Sequence, residues 1–375
     1  MDYILKRFDE NLIYFSMETT DDGIAVDIKT INHKLVPMLP LDMSSDNKSL
    51  KRWLEKRTIP RNRAYVTNFL SKMDLNEKDT KGIIDICLGL SLNDCYWVVK
   101  EGCEDSFEKK NLYINSFNTT IASIAFTGYG NNTRTSFQSS PEFTTNGMLA
   151  KSWRRLNGKI VLFKSGTEGF ANSGLEPYSE FYASEVARAM GLNHIDYNLS
   201  RWKKRMCSTC ELFTDLNVSF ISIGRLVKSG GMKAVEDYYL ELGDEFYQEL
   251  IDMLVFDAII LNEDRHLGNF GLLIDNRTNK IIAPAPIFDN GLSLLCYAMD
   301  SDFENIDEYV KTRRPACYQD FIEHVKPFIT HRQRMKLRKL LDFHFDTKTR
   351  YKLNNKRLKK LEIIMKQRAI LLLDD

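Results

Sequence analysis

The hydrophobic pattern of this chain changes near residue 236, and the change limits the folds that the chain can adopt. Before that point, short alternating runs predict strands mixed with a few helices, of which Tyr178–Gly191 is the clearest. From Glu236 onward the apolar spacing is that of helices, with a long helix predicted over Glu245–Leu261. The chain should therefore be an α+β protein of two lobes, the first a mixed β-rich lobe and the second mainly helical.

Loop-like composition divides the first part again. The span from Thr127 to Asn146 is rich in Gly, Asn, Ser and Thr, which favours a boundary near its start. Beyond it, Asn157-Gly158 lies between two strand-like runs and predicts a tight hairpin, whereas upstream Arg63–Met73 is predicted as a helix. We expect three regions: 1–125, a variant N-terminal α+β region; 126–235, the β-rich lobe; and 236–375, the helical lobe.

Composition narrows the function classes. The 52 basic and 51 acidic residues nearly cancel, which argues against a surface devoted to nucleic acid or membrane. No apolar run approaches the roughly 20 residues that cross a bilayer, and no signal peptide is visible. The seven cysteines then predict reduced thiols in a cytoplasmic protein. Cys207 and Cys210 have zinc-like spacing but no second pair nearby, so they predict buried thiols.

The most informative string is Asn-Glu-Asp-Arg-His-Leu-Gly-Asn, residues 262–269. Asp264 and Asn269 have the spacing of a phosphotransferase catalytic loop, where a carboxylate accepts the proton of the attacking hydroxyl and an amide oxygen ligates Mg²⁺. Asp289 follows twenty residues later, within Ile-Phe-Asp-Asn-Gly, and could hold the metal that bridges the ATP phosphates. The alternative is structural, because Asp and Asn also close turns and His266 could be a hydrogen-bonded loop residue.

Three upstream residues show that this loop is part of a longer ordered series of candidate residues along the chain. Lys164 ends an apolar strand, as a lysine that contacts ATP phosphates must, although exposed lysines after strands are common. Glu180 and Glu185 on the following helix are candidates for the carboxylate that aims it. The sequence of lysine strand, glutamate helix, Asp-x4-Asn loop and metal aspartate is the order found in kinases. We therefore predict a phosphotransferase that uses ATP and Mg²⁺.

A third segment, residues 144–151, is weaker. Asn146 and Gly147 lie among small polar residues that could present backbone N–H groups to phosphates. The repeated glycines of a phosphate-binding loop are missing, so the residues alone favour a plain turn before a strand.

Together these strings resemble the HipA family of bacterial serine/threonine kinases over roughly residues 140–340. The matched strings include Asn-Gly at 146–147, Cys-Glu-Leu-Phe at 210–213, the loop 262–269 and Ala-Pro-Ala-Pro-Ile-Phe-Asp at 283–289. The resemblance implies a two-lobed protein-kinase-like fold, a protein substrate, ATP and Mg²⁺. Family members often act as toxins that a DNA-binding antitoxin neutralises, so an antitoxin is the partner implied.

The resemblance also assigns roles to matched residues. Catalytic residues would be Asp264, as the base, and His266 in the same loop. Metal ligands would be Asn269 and Asp289. Nucleotide contacts would come from Asn146, Gly147, Lys151, Lys164, Glu180, Glu211 and Phe213. Thr144 and Thr145 fall where the family has a phosphate loop that can itself be phosphorylated.

Departures from the family keep two alternatives open. Gly268 and Phe288 stand where many members have Lys and Tyr, and the first 110 residues do not match the usual amino-terminal subdomain. Because Asp-Arg-His-x-x-Asn also occurs in phosphoinositide kinases, a lipid kinase is one alternative. A nucleotide-binding pseudokinase that holds a partner is the other.

Overall fold

A computed structural model describes residues 1–21, 23–130, 139–169 and 173–374. Part of the predicted loop over Thr127–Asn146, residues 131–138, lies outside the described residues. The chain forms two compact units. The first unit comprises Met1–Lys164, Leu212–Ile221 and Leu273–Ile282, and the second comprises Ser165–Glu211, Ser222–Leu272 and Ala283–Asp375. The three predicted regions are not tested by this division and stay a prediction.

Strands occur mainly in the first two thirds of the chain. Within the described residues they are β1 Asp2–Arg7, β2 Glu10–Thr20, β3 Gly23–Ile31, β4 Tyr96–Lys100, β5 Lys151–Leu156, β6 Lys159–Ser165, β7 Asn198–Trp202, β8 Arg205–Glu211, β9 Val218–Ser222, β10 Gly271–Asp275 and β11 Lys280–Pro284.

Helices dominate the last third, as the change in pattern predicts. The described α-helices are α1 Asn47–Glu55, α2 Val66–Ser71, α3 Thr80–Cys87, α4 Phe107–Lys110, α5 Thr119–Thr127, α6 Glu176–Met190, α7 Ile223–Leu226, α8 Gly231–Leu242, α9 Asp244–Ile260, α10 Ile306–Lys311, α11 Phe321–Val325, α12 His331–Arg338 and α13 Asn355–Leu373. No described helix has the length and apolar character needed to cross a bilayer.

The first unit is built on an antiparallel sheet in the order β3-β2-β1-β4. Successive side chains of a strand point to opposite faces, and here both faces are covered. Leu5 and Phe15 pack in one apolar cluster with Trp53 of α1, whereas Ile4 packs in a second cluster with Trp97 of β4. Burial on both faces makes this sheet the core of the unit.

Two local predictions have different outcomes. The Asn157-Gly158 hairpin is confirmed, with positive φ values of 51° and 80° and a regular β5–β6 register. The helix predicted over Arg63–Met73 is shorter, Val66–Ser71, because Tyr65 adopts a left-handed conformation with φ 62° and interrupts the pattern.

Helix α9 is the central element of the second unit. Every residue from Leu250 to Ile260 is buried, including the carboxylate residue Asp257. The helix ends where Leu261 turns left-handed, with φ 54°, and donates its N–H to the carbonyl of Asp257. This turn directs the chain into the loop that carries Asp264.

Candidate active site

The loop 262–269 is held by hydrogen bonds among its own residues and by one bond to the end of α9. Asn262 is fully buried and donates from its side chain to Asp257, 3.0 Å away, while its own Oδ1 accepts the N–H of Asp264 at 3.2 Å. The N–H of His266 then donates to the carbonyl of Asp264 at 2.7 Å. These bonds fix the backbone around Asp264, whose side chain is half-buried.

Asn269 is oriented by a hydrogen bond back across the loop. Its Nδ2 donates to the carbonyl of Asp264 at 3.0 Å, and the residue is buried. Because the amide nitrogen makes this bond, the amide oxygen points away from it and is the atom presented to a cation. The metal-binding role of Asn269 stays a prediction.

Arg265, which sequence reasoning did not single out, holds this loop to the one that follows. Its guanidinium forms a bidentate pair with Asp257 at 2.9 and 3.0 Å, and the two residues are 1% and 0% exposed. The same guanidinium donates to the carbonyls of Asn269 at 2.9 Å and Phe288 at 2.6 Å. Burial alone would lower the pKa of Arg265, but Asp257 outweighs it and raises that pKa, so the group stays charged.

Asp289 lies in a strained and well-anchored segment. It has a left-handed φ of 57°, and its N–H donates to the hydroxyl of Tyr197 at 3.1 Å. The next N–H, that of Asn290, donates to Glu180 at 2.8 Å, and Glu180 is fully buried on α6. Burial raises the pKa of Tyr197 well above its usual value, and the charge of Glu180 adds to this, so the phenol stays neutral.

The donor set of this unit fits Mg²⁺. Asn269 and Asp289 offer an amide and a carboxylate oxygen, the hard ligands that Mg²⁺ prefers. Among the described residues, no group of three or more His, Cys, Asp or Glu could hold a metal ion. Two protein oxygens match a cation that takes its remaining ligands from nucleotide phosphates and water.

His266 shapes the loop. It is exposed, and its Nδ1 accepts the N–H of Gly268 at 3.0 Å. A Cβ on Gly268 would lie 2.8 Å from Cε1 of His266, so a larger residue at position 268 would require this histidine to move. The predicted catalytic role of His266 remains a prediction.

The first unit places two lysines side by side. Lys151 of β5 and Lys164 of β6 are directly opposite in the antiparallel hairpin, so both side chains lie on the same face. Both residues are buried. Two ammonium groups on one face form the kind of positive site that a phosphate chain neutralises.

The loop before β5 wraps around one of these lysines. Nζ of Lys151 donates to the carbonyl of Asn146 at 2.7 Å. Gly147 has φ 94°, and a Cβ there would lie 2.3 Å from that Nζ. The left-handed φ favours glycine, and a side chain at 147 would displace the Lys151 ammonium; the phosphate-binding role of Asn146 and Gly147 stays a prediction.

Arg63 holds the same loop from a distant part of the first unit. It donates to the carbonyls of Thr145 at 2.9 Å and Lys151 at 2.7 Å and is 3% exposed. Burial lowers its pKa to about 10, against the opposing charge of Glu142. Glu142 itself accepts from the Trp153 N–H at 3.0 Å. No local motif marks Arg63, which lies 82 positions from Thr145.

The remaining predicted nucleotide contacts lie where the chain passes from the second unit to the first. Glu211 is the last residue of β8 and is exposed, and Leu212 begins the next stretch of the first unit. Phe213 is half-buried and packs edge-on against Phe220 at 5.5 Å.

The predicted site residues therefore fall into two sets. The second unit holds Glu180, Glu211, Asp264, His266, Asn269 and Asp289, and hydrogen bonds link the segments that carry most of them. The first unit holds Asn146, Gly147, Lys151, Lys164 and Phe213. Cys207 and Cys210, which the sequence predicts to be buried thiols and not zinc ligands, are buried and belong to neither set.

Comparison with known proteins finds one curated relative in sequence and 28 chains of solved structures, two of which are described below. No family model matches the chain. The serine/threonine-protein kinase CtkA of Helicobacter pylori is 30% identical over 149 residues, which cover 35% of this chain and 46% of that protein. The chain thus spans about half the length of the curated relative that it matches.

The structural matches cover more of the chain. HipA of Shewanella oneidensis MR-1, solved with HipB and operator DNA, has a TM-score of 0.54 at 12% identity, over 98% of this chain and 96% of that one. The crystal structure of the proinflammatory kinase CtkA of Helicobacter pylori has a TM-score of 0.49 at 18% identity, over 61% of this chain and 90% of that one. The HipA match confirms the predicted α+β kinase-like fold. The chain is thus similar in sequence to part of CtkA and shares the fold of HipA.

Proposed function

We propose that the chain is an ATP- and Mg²⁺-dependent serine/threonine protein kinase. The observation that supports this most directly is the Asp257–Arg265 pair, which ties the loop of Asp264 and Asn269 to the loop of Asp289. One guanidinium that donates to the carbonyls of both Asn269 and Phe288 keeps the two loops that carry the candidate metal ligands in a fixed arrangement. The relation to a serine/threonine-protein kinase supports the same reaction class.

The proposed reaction moves the terminal phosphoryl group of ATP to a serine or threonine hydroxyl. Asp264 orients that hydroxyl and accepts its proton as the new P–O bond forms and ADP leaves. Asn269 and Asp289 would hold Mg²⁺, which neutralises charge on the phosphates when bound. Lys164, Lys151 and the 144–151 loop would bind the phosphates, with Glu211 to Phe213 next to adenine. Positioning and charge neutralisation then supply most of the rate.

The test compares wild type with Asp264→Asn, incubated with Mg²⁺ and labelled ATP in the presence of a generic protein substrate. We expect the variant to lose at least about a thousandfold in turnover while its unfolding curve stays unchanged. Asp237→Asn, which changes an exposed aspartate paired with Lys233 on the surface of α8, should keep full activity. Equal turnover of Asp264→Asn and wild type would exclude the proposal, and nucleotide binding without transfer would indicate a pseudokinase.

Autophosphorylation of Thr144 or Thr145 is a second part of the proposal. Both hydroxyls are already bonded, that of Thr144 to the carbonyl of Leu90 at 2.8 Å and that of Thr145 to Pro141 at 2.7 Å. Either threonine must therefore leave its place before it can accept a phosphoryl group. Mass spectrometry after incubation with Mg-ATP should find phosphate on residues 133–152, and unmodified peptide would count against this part.

A protein partner is the third part. The HipA structure contains HipB and operator DNA. We propose that this chain also binds a partner protein of the antitoxin kind, in the cytoplasm, without contacting nucleic acid itself. Co-purification of the chain with the product of a neighbouring gene would support the proposal. Purification of the chain alone from its native cells would argue against it.

A further inference from the structure

A groove on the second unit lies beside the candidate catalytic loop without being part of it. It has a volume of about 860 Å³ and is lined by residues of α10, of the segment 313–322 and of α13. Its apolar wall includes Val310, Phe321 and Ile364, together with Ile370 and Leu371, which are 40% and 54% exposed. Neighbouring exposed apolar residues in a concave surface are typical of a site that another chain covers.

Charge around the groove is unbalanced. Its lining includes four basic residues, Lys311, Arg313, Arg314 and Arg368, and two acidic ones, Asp307 and Asp320. Asp320 is already engaged, because it caps α11 by accepting the N–H groups of Ile322 and Glu323. Lys311 pairs with Glu308 and Arg313 with Glu263, so the positive charge that remains around the apolar wall comes from Arg314 and Arg368.

Two of these arginines have no carboxylate partner within the described part of the chain. Arg314 is exposed and donates only to the carbonyls of Lys311 and Arg313. Arg368 is 8% exposed, and its Nε donates to the carbonyl of Ala258. A largely buried guanidinium on the wall of an open groove is suited to a carboxylate from outside, because planar bidentate pairing with carboxylates is its strongest interaction.

The groove is connected to the loop of Asp264. Nη1 of Arg313 lies 3.4 Å from the carboxylate of Glu263, the residue before Asp264. Cys317, four residues later, donates its thiol to the carbonyl of Arg265 at 3.2 Å. The segment that forms one wall of the groove is therefore bonded to the loop that would receive the substrate hydroxyl.

We propose that this groove docks an acidic segment of the protein substrate, whose carboxylates pair with Arg314 and Arg368 and whose apolar side chains cover Ile370 and Leu371. The inference rests on the proposed kinase function, to which it adds a substrate class. Its chemistry selects glutamate- or aspartate-rich segments that also carry leucine-like residues and rejects basic ones.

The test uses the full chain and two fluorescent peptides, each with one serine. One peptide alternates leucine with glutamate, and the other has lysine in place of glutamate. We expect fluorescence anisotropy to show binding of the acidic peptide only, weakened when NaCl is raised to about 0.5 M. Arg314→Glu should raise its Kd at least about tenfold, and Leu371→Ser about fivefold.

Matched controls separate docking from general surface effects. Arg277→Glu changes an exposed arginine of the first unit, and Leu240→Ser changes a leucine that is 55% exposed on α8. Both should leave the Kd within about twofold. Equal affinity for the two peptides, an unchanged Kd in Arg314→Glu, or equal losses in the controls would each overturn the docking proposal.

Phosphorylation of the acidic peptide provides the second measurement. Arg314→Glu should raise KM and leave kcat unchanged, because it affects binding alone. If no variant transfers phosphate, the kinase proposal fails, while the anisotropy data still decide whether the groove binds acidic segments.

Discussion

Each unit of the molecule holds one of its candidate loops by a buried arginine, but the two arginines are compensated differently. In the second unit, Arg265 bonds two loop carbonyls and is paired with the carboxylate of Asp257. In the first unit, Arg63 bonds two loop carbonyls and makes no carboxylate pair within the described residues, and its Nε has no hydrogen-bond partner there. The second unit therefore holds its loop by a complete ion pair, whereas the first uses a cation whose desolvation is less fully offset.

Sequence distance accounts for part of this difference. Asp257 and Arg265 are eight positions apart, on the end of α9 and the loop that follows, so the pair assembles locally. Arg63 reaches Thr145 across 82 positions and Lys151 across 88. Substitutions far from the end of α9 should therefore leave the conformation of the Asp264 loop unchanged. The loop before β5, by contrast, should keep its conformation only when the whole first unit is folded.

The largest expected effect comes from breaking the pair in the second unit. Arg265→Met leaves the carboxylate of Asp257 buried with the Asn262 amide as its remaining donor among the described residues, and we expect a loss of about 3–5 kcal/mol in the free energy of unfolding. Urea denaturation followed by circular dichroism measures it. A loss below about 1 kcal/mol would show that the pair does not hold the loops.

The double variant Asp257→Leu with Arg265→Met sharpens the interpretation. Removing both charges should recover much of the stability, because no isolated buried charge remains. Both Arg265→Met and the double variant should lack phosphotransfer activity, since the carbonyls of Asn269 and Phe288 have lost their common donor. Recovery of activity together with stability would mean that Arg265 has no positioning role.

Arg63→Met should have a smaller effect on stability. The change removes one donor from the carbonyls of Thr145 and Lys151 but also removes a poorly compensated buried cation, so we expect a loss of about 2 kcal/mol in the free energy of unfolding. KM for ATP should rise about tenfold with little change in kcat, since only the phosphate loop loosens. Arg61→Met, at an exposed position two residues away, is the control and should match wild type. A lower kcat with unchanged KM would contradict this assignment.

These contrasts also explain what the sequence could predict. Spacing singled out Asp264, Asn269 and Asp289 as candidates because a catalytic loop is a local feature with fixed chemistry, and their roles stay predictions. Spacing did not reveal Arg63, because its partners lie more than eighty positions away.

Glu180 illustrates the intermediate case. Its helix was predictable, but the hydrogen bond that it accepts from Asn290 spans 110 positions. The proposed pairing of Glu180 with Lys164 stays a prediction. Periodicity also failed at Tyr65, where a left-handed residue shortens the predicted helix.

Gly147 and Gly158, which lie on either side of β5, permit a matched comparison. Gly147 and Gly158 both have positive φ, 94° and 80°, but only at Gly147 would a Cβ meet another group, Nζ of Lys151 at 2.3 Å. Alanine at Gly158 should cost about 1 kcal/mol of backbone strain alone. Alanine at Gly147 should cost about 1 kcal/mol more, because the Lys151 ammonium must leave the carbonyl of Asn146. Thermal unfolding of both variants, with KM for ATP, measures the difference, and equal losses would show that the loop does not depend on this contact.

The smallest effect concerns Glu185, the other carboxylate first considered on α6. Its side chain accepts the N–H of Asp346 at 3.3 Å, and burial raises its pKa from 4.5 to about 7. Between these values the folded state binds more protons than the unfolded state, so stability falls as pH rises from about 4.5 to 7. Because the side chain is partly exposed, we expect this fall to be about 1 kcal/mol.

Glu185→Gln removes the titrating group, so the difference in unfolding free energy between variant and wild type should shift in favour of the variant as pH rises from 5 toward 7.5. Urea denaturation at several pH values measures this shift. Glu180 on the same helix is bonded to the loop of Asp289, whereas Glu185 is bonded to Asp346. The substitution should therefore leave kcat unchanged. If the unfolding free energies of variant and wild type changed in parallel with pH, the titrating group would not be Glu185. A loss of kcat would mean that Glu185 supports the loop of Asp289 together with Glu180.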